Sequence, residues 1–332
     1  MSPIVSVIIP NLNARHWLER CIGSLQAQTL QPIEIILVDQ NSNDGSADYV
    51  AATFPQVRLI RQTEDRGFTG ACNEGMKAAR GGFIVLFNTD ARAEPDWLET
   101  LVRAMGSDET IGSAACKTLD YNDESLIYSL GDGMLPNGDA FNIARGMRDR
   151  PDLPMLRWVF GGSGCTVIYR RSALDRVGLL DEDFYTFHED VDLNLRLQLA
   201  GYKCLYVPEA VAYHVGFATG RKFKERNAFI SGRNRWFVLL KNWPWSLWLR
   251  FAPRLFYRQA QIAWWALKGD AESRVRCRGA LSALRFVRRE LRKRRVVQRL
   301  RRVGAGELAM MLKEHETLLR RLRQIAALEA KA

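Results

Sequence analysis

Four short segments of the chain carry the side chains most able to do chemistry. The first is Asp39-Gln40-Asn41-Ser42-Asn43-Asp44-Gly45-Ser46, directly after the apolar run IEIILV. A carboxylate at Asp39 can accept a hydrogen bond from a nucleobase N–H, and Ser42 and Asp44 can cap the helix that follows. The same residues also read as an Asx-rich turn with no ligand. The second is Asn88-Thr89-Asp90, after FIVLF. A carboxylate there suits a divalent cation on phosphates, because Mg²⁺ takes few protein ligands and keeps phosphate or water for the rest; a plain turn Asp is the alternative. The third, His188-Glu189-Asp190-Val191-Asp192, crowds three carboxylates together. Crowding raises the pKa of one of them and suits it to work as a base. It also suits the first turn of a helix, whose dipole favours negative charge. The fourth is His214, a lone histidine that becomes a candidate ligand only because Asp90 already is one.

These segments need elements to hold them. Val5–Pro10, Ile33–Val38 and Phe83–Phe87 are continuous apolar runs rich in β-branched residues. Between the first two, Trp17, Leu18, Cys21, Ile22 and Leu25 recur at helical spacing. Between the second and third lie Tyr49–Phe54, a short strand at Val57–Ile60 and a helix around Ala71–Ala79. Strands alternating with helices predict an α/β fold with a mostly parallel sheet covered on both faces. Ligands of such sheets bind at the carboxyl ends of the strands, where the polar segments fall. From about 120 to 157 the pattern weakens into Gly-, Asn- and Pro-rich sequence, read as loop or irregular hairpin. Order returns with a Gly-Gly-Ser-Gly turn, a strand at Cys165–Tyr169, a helix over Asp190–Leu199 and a strand at Cys204–Val207.

Charge divides the chain. Residues 219–332 hold 29 Lys and Arg against 8 Asp and Glu, a net of +21, whereas residues 1–218 hold 19 against 29, a net of −10. The boundaries follow: a catalytic domain over 1–218, and a helical basic region over 219–332 that suits an anionic surface. Arginines dominate 274–302, and Trp243–Trp265 is aromatic but interrupted by Arg250, Arg254 and Arg258. No zinc-finger, RNP-type or basic-zipper pattern accompanies the arginines, so nucleic acid is not the expected partner. An interfacial membrane helix is, since Trp settles at that depth. Six scattered cysteines without a C-x-x-C pair point to a reducing compartment. The opening MSPIVSVIIPNLN reads as a buried strand rather than a leader, and no run is long and apolar enough for a spanning helix. Leu308, Leu318, Leu322 and Ile325 form a stripe on a last helix. It must pack either on the chain's own helices or on a second copy, which leaves a homo-oligomer open.

Taken together, VSVIIPNLN, VDQNSNDGS, GFTGACNEGMKAARGGFIVLFNTDA, GGSGC and FYTFHEDVDLNLRLQLAGYKCLYVPEAVAYH resemble the family 2 glycosyltransferases of GT-A fold. The similarity runs from Val5 to about Trp243 and is greatest to the rhamnosyltransferase-like branch. It implies a nucleotide-sugar donor, with Asp39 reading its pyrimidine base and Pro10 and Asn13 lining the pocket. Asp90 would be the metal-binding acid of a DxD-type motif whose first position is here Asn88, and His214 would complete the Mg²⁺ or Mn²⁺ site. Asp190 would be the catalytic base of a single inverting displacement. Trp158, Gly162, Ser163 and Glu189 would border the acceptor, and Arg233 and Arg235 would meet phosphate. Leu12 replaces the usual aromatic of the first motif, and Asp65 stands where Asn is common before Gly67. The branch implies transfer of rhamnose from dTDP-rhamnose to a lipid-linked or polysaccharide acceptor of a bacterial surface glycan. The expected location is the cytoplasm, peripheral on the inner face of the cytoplasmic membrane. A UDP-hexose or UDP-N-acetylhexosamine donor is the alternative. From other classes, a nucleic-acid-binding protein and an inactive glycosyltransferase-like scaffold compete.

Overall fold

The computed structural model describes residues 3–216 and 224–329. The expected boundary at 218 lies outside the described residues. Strands β1 (Val5–Asn11), β2 (Ile33–Asp39), β3 (Arg58–Arg61) and β4 (Phe83–Phe87) are parallel and lie in the order β4-β1-β2-β3. Their crossovers are α1 (Arg15–Gln26), α2 (Ser46–Thr53) and α3 (Gly67–Ala78). Helix α1 buries Leu18, Cys21, Ile22 and Leu25 on one face of the sheet, and α3 buries Ala71, Cys72 and Met76 on the other. The apolar runs are buried from both sides, which is why they read as continuous rather than alternating.

The chain continues through β5 (Ala91–Ala93), α4 (Trp97–Met105) and β6 (Ile111–Asp120), then β7 (Ile127–Ser129), the β8 (Asp132–Met134)–β9 (Ala140–Asn142) hairpin and β10 (Trp158–Val159). Next come β11 (Thr166–Arg170), α5 (Arg171–Val177), α6 (Glu189–Leu199) and β12 (Lys203–His214). Strand β11 lies antiparallel between β4 and β6, and β12 runs parallel to β6. β12 extends well past the expected Cys204–Val207, to a register of His214 with Asp120. Strand β6 carries no strand signal in the sequence: IGSAAC is small and weakly β-forming. Its neighbours need that smallness. A Cβ on Gly112 would stand 2.7 Å from Tyr202 Cβ.

Among the described residues, the α-helices α7 (Lys224–Asn242), α8 (Trp245–Leu267), α9 (Ala271–Ser282), α10 (Val287–Leu300) and α11 (Ala305–Glu329) follow. They share cores with the first part of the chain. One cluster joins Phe160, Phe184 and Leu195 to Phe237, Leu255 and Leu312, and another joins Ile127 and Tyr206 to Leu318 and Leu322. The α11 stripe, with Leu308, Leu318 and Leu322 buried, is therefore covered by the chain itself.

Candidate functional site

The strand ends converge as the parallel sheet requires. A cavity of about 230 Å³ opens there, walled on one side by Pro10, Leu12, Trp17 and Gln40 and on the other by Asn88, Thr89 and Asp90. Tyr185, Thr186 and Phe187 close it, with Arg226 from the start of α7.

Asp39 ends β2 and Gln40 follows it directly, and successive side chains of extended chain point to opposite sides. The structure turns Asp39 inward, where it accepts from Asn11 Nδ2 at 2.7 Å and from the Ser42 backbone N–H at 3.0 Å. Gln40 faces the cavity instead, and its buried Oε1 has no protein partner. Asp39, expected to read the base, is in this structure one residue removed from the cavity lining. Asn13 likewise does not line the cavity. It adopts a positive φ of 49° and ties the end of β1 to the next loop, its N–H donating to Ser42 Oγ and its Oδ1 accepting from Asn43 N–H.

Asp90 and His214, 124 residues apart, meet because β5 pairs with the end of β12. His214 Nε2 lies 2.9 Å from Asp90 Oδ1 and 3.1 Å from Asn88 Nδ2, and the edge of Tyr128 packs on the imidazole. Burial alone would lower the His214 pKa, but Cys165 and Asp90 raise it to about 10. Burial would raise that of Asp90, and the bonded imidazole reverses this to a net lowering. The pair fits a divalent cation once the imidazole gives up its proton: one carboxylate oxygen in the cavity wall and an adjacent imidazole nitrogen behind it form a donor set that Mg²⁺ and Mn²⁺ accept. Among the described residues no three His, Cys, Asp or Glu side chains form a group able to hold a metal ion by themselves.

Asp190 stands in the first turn of α6, as the sequence implied. The Gly161–Cys165 turn bridges it to the metal-site strand: Gly164 N–H donates to Asp190 Oδ2 at 3.2 Å, and Asn88 N–H donates to the Cys165 carbonyl at 2.9 Å. Gly162 is buried against Val167, with its carbonyl accepting from Asn194, and Ser163 is half-buried within this turn. Burial raises the Asp190 pKa against the pull of the Gly164 and Val191 N–H groups. Glu189 is buried and, through burial and the neighbouring Asp190, held well above the carboxylate range. Asp192 is different. It bonds Arg196, Lys241 and Asn242, and it serves the α6–α7 packing.

The remaining expected residues lie elsewhere. Trp158 pairs with Leu205, nine residues before His214 on β12, which is roughly 25–30 Å along the strand. Its ring lies against Arg157 and Lys203 rather than at the cavity. The Arg233 guanidinium donates to the carbonyls of Asp183 and Phe184, and Arg235 is buried in an ion pair with Asp139. Both, expected to meet phosphate, have protein partners in this structure.

Two residues that sequence reasoning passed over matter here. Asn234, between those arginines, is fully buried and turns its amide to the carbonyls of Phe184, Thr186 and Phe187. It clamps a loop in which Tyr185, Phe187 and His188 all have positive φ, a strained conformation that persists only when over-determined by its surroundings. Asp132, on β8, bonds Asn142 and is raised well above the carboxylate range by burial and by Asp190. It lies in a Gly- and Pro-rich segment with no periodic signal, so only contacts distant in sequence reveal it.

Comparison with known proteins gives the same picture. The family model described as "Glycosyl transferase family 2" matches residues 6–178, just over half of the chain. The N-acetylglucosaminyl-diphospho-decaprenol L-rhamnosyltransferase of Mycobacterium tuberculosis is 28% identical over 246 residues, covering 67% of this chain and 79% of that one. Among solved structures, mannosyltransferase PcManGT from Pyrobaculum calidifontis, in complex with GDP-Man and Mn²⁺, superposes with a TM-score of 0.53. Its identity is 20%, covering 90% of this chain and 85% of that one. GalNAc-T7 with UDP, GalNAc and Mn²⁺ gives a TM-score of 0.60 at 16% identity, covering 88% of this chain and 57% of that one. With strand ends, polar cluster and family model in agreement, the chain belongs to glycosyl transferase family 2.

Proposed function

We propose that this enzyme transfers rhamnose from dTDP-rhamnose to a lipid-linked or polysaccharide acceptor during synthesis of a bacterial surface glycan, working at the inner face of the membrane. The observation that supports the reading is the turn linking Asp190 to the Asn88–Asp90 strand end, which forms one wall of the cavity. In the proposed step, Asp190 takes the proton of the acceptor hydroxyl as its oxygen forms a bond to the anomeric carbon from the face opposite the phosphate. The bond to the diphosphate breaks, the nucleoside diphosphate departs with the electron pair, and the sugar is inverted. Gln40 presents its unpartnered amide oxygen to the base, Pro10 and Trp17 flank it, and Arg226 lies at the mouth for phosphate. Asp90 and His214 would hold a Mg²⁺ or Mn²⁺ ion, which when bound neutralises the charge of the leaving diphosphate. The rhamnose assignment draws on the mycobacterial relative, whose name states that sugar.

The test is a panel of nucleotide sugars offered with Mn²⁺, with Mg²⁺ and with excess EDTA, products being weighed by mass spectrometry. A deoxyhexose added only from dTDP-rhamnose, and only with metal, is expected. Transfer from a UDP-hexose or UDP-N-acetylhexosamine instead would replace the donor assignment, and full turnover in EDTA would remove the metal.

A further inference from the structure

We infer that the outward face of α8 is a membrane-docking surface, laying this helix in the interface of a bilayer that contains anionic lipid. Helix α8 is apolar on two sides. Leu247, Phe251 and Leu255 are buried in the core shared with α7 and α11. On a different side, Trp245, Leu249, Pro253, Phe256, Ala260, Trp264 and Leu267 follow one another at steps of three or four residues. At 100° per residue they fall within an arc about 100° wide, on a stripe about 33 Å long. The five large members of this stripe are 57–84% exposed. A continuous apolar face of that length marks a contact surface rather than scattered surface residues.

The cations around the stripe decide what covers it. Arg294 stacks on the Trp245 ring at 4.0 Å at one end, and Lys268 on the Trp264 ring at 4.9 Å at the other. Beside Trp245, at the N-terminus of α8, Arg294, Arg295 and Arg301 line a cavity of about 560 Å³. Arg295 and Arg301 have no ion pair among the described residues. Backbone N–H groups and guanidiniums together favour a phosphate. Two of the three arginines that interrupt α8 have protein partners: Arg254 bonds both oxygens of Glu316, and Arg258 bonds Asp139. They pin α8 to the protein and leave Arg250, Arg295 and Arg301 exposed.

The net charge of +21 over 219–332 argues against a second copy of the chain on this face, because pairing two such surfaces brings like charges together. An anionic bilayer supplies the opposite sign. Tryptophans at both ends of an apolar stripe, with cations beside them, are the pattern of a helix lying in the interface plane. No described helix is long and apolar enough to cross a membrane, so α8 would lie in the surface and not span it. This inference is independent of which sugar is transferred.

The experiment uses the full chain with vesicles of phosphatidylcholine alone and of phosphatidylcholine mixed with phosphatidylglycerol. Co-sedimentation with the mixed vesicles, weakening as salt rises, is expected. The double substitution Leu249→Glu with Phe256→Glu should weaken binding at least about ten-fold, given the apolar area each removes from water. Arg295→Glu with Arg301→Glu should erase the preference for phosphatidylglycerol. Circular dichroism checks the fold of each variant. Bromine-labelled acyl chains give a readout that needs no variant: they should quench the fluorescence of the wild-type protein. Absence of quenching, or vesicle binding untouched by Leu249→Glu with Phe256→Glu, overturns the inference. So does a lipid-free dimer that those substitutions dissociate while vesicle binding persists.

Discussion

Asp132 and Asp190 are near enough for each to feel the other's charge, yet their surroundings differ. Asp132 is buried with one amide partner, whereas Asp190 receives N–H groups from Gly164 and Val191 that favour its charged form. Where two acids interact, the better-solvated one ionises first. Asp190 therefore ionises before Asp132. Replacing Asp190 by Asn should cut transfer about 10²–10⁴-fold, the range for a lost general base, with donor binding retained. Asp132→Asn, which mimics the protonated acid, should stay within about ten-fold of wild type. Because burial raises the Asp190 pKa, the acid limb of kcat/KM should lie above the ordinary carboxylate range, activity falling as pH drops through it. Steady-state kinetics of both variants across pH decides this; equal collapse of the two would remove Asp190 as the sole base. The crowd of three carboxylates at a helix start was legible in the sequence, and the choice of Asp190 among them came from the family resemblance. It could not separate Asp39 from Gln40, because which of two neighbours faces a ligand depends on how the strand end is turned.

At the scale of elements, the strained loop before α6 depends on a helix outside the α/β part of the chain. Asn234 reaches it only because α7 packs tightly against its neighbours. That packing rests on two glycines: a Cβ on Gly279 would stand 2.1 Å from the Phe229 carbonyl oxygen, and one on Gly232 would stand 2.4 Å from that of Arg276. Backbone cannot yield as a flexible side chain does. Gly279→Ala should therefore destabilise the protein by about 1–3 kcal/mol, the usual range for overpacking. The measurement is chemical denaturation of wild type and variant, and an unchanged midpoint would show that α7 and α9 can part without loss. The parallel strands were legible as apolar runs. Strand β6 was not, since its small residues are chosen by the neighbours they admit rather than by strand propensity.

For the whole molecule, the division of charge is partly internal. Asp181, Asp183 and Asp192 of the acidic half bond Lys241, Lys293 and Arg289 of the basic half. Burial would raise the Asp181 pKa, but Lys241 and Lys293 hold it far below the usual range. The same joined core buries His315 and half-buries His188. Burial pushes His315 down to about 4, against a weaker pull from the Met311 carbonyl. Burial and Arg235 push His188 to about 4, with Asp139 opposing. An unfolded histidine titrates near 6.5, so between about 6.5 and 4 the unfolded chain binds more protons than the folded one. Stability is then full above this window and declines as pH falls through it. Melting temperatures should drop across that interval, and the drop should be shallower in His315→Leu. An identical slope in that variant would show that α11 does not carry the effect.

The strand-helix alternation, the acid at the start of α6, the polar strand ends and the opposed charges of the two regions are local or compositional, so the sequence determined them by itself. The Asp90–His214 meeting was legible only through family resemblance, since 124 residues of intervening chain carry no pattern that dictates it. Tertiary structure alone decided the rest. It turned Asp39 inward and Gln40 outward, directed Arg233 and Arg235 to protein partners and carried Trp158 away from the cavity. It also used the α11 stripe inside the molecule while leaving that of α8 uncovered. Each of these depends on the side from which a neighbouring element approaches, and periodicity records that a face is apolar without recording what covers it.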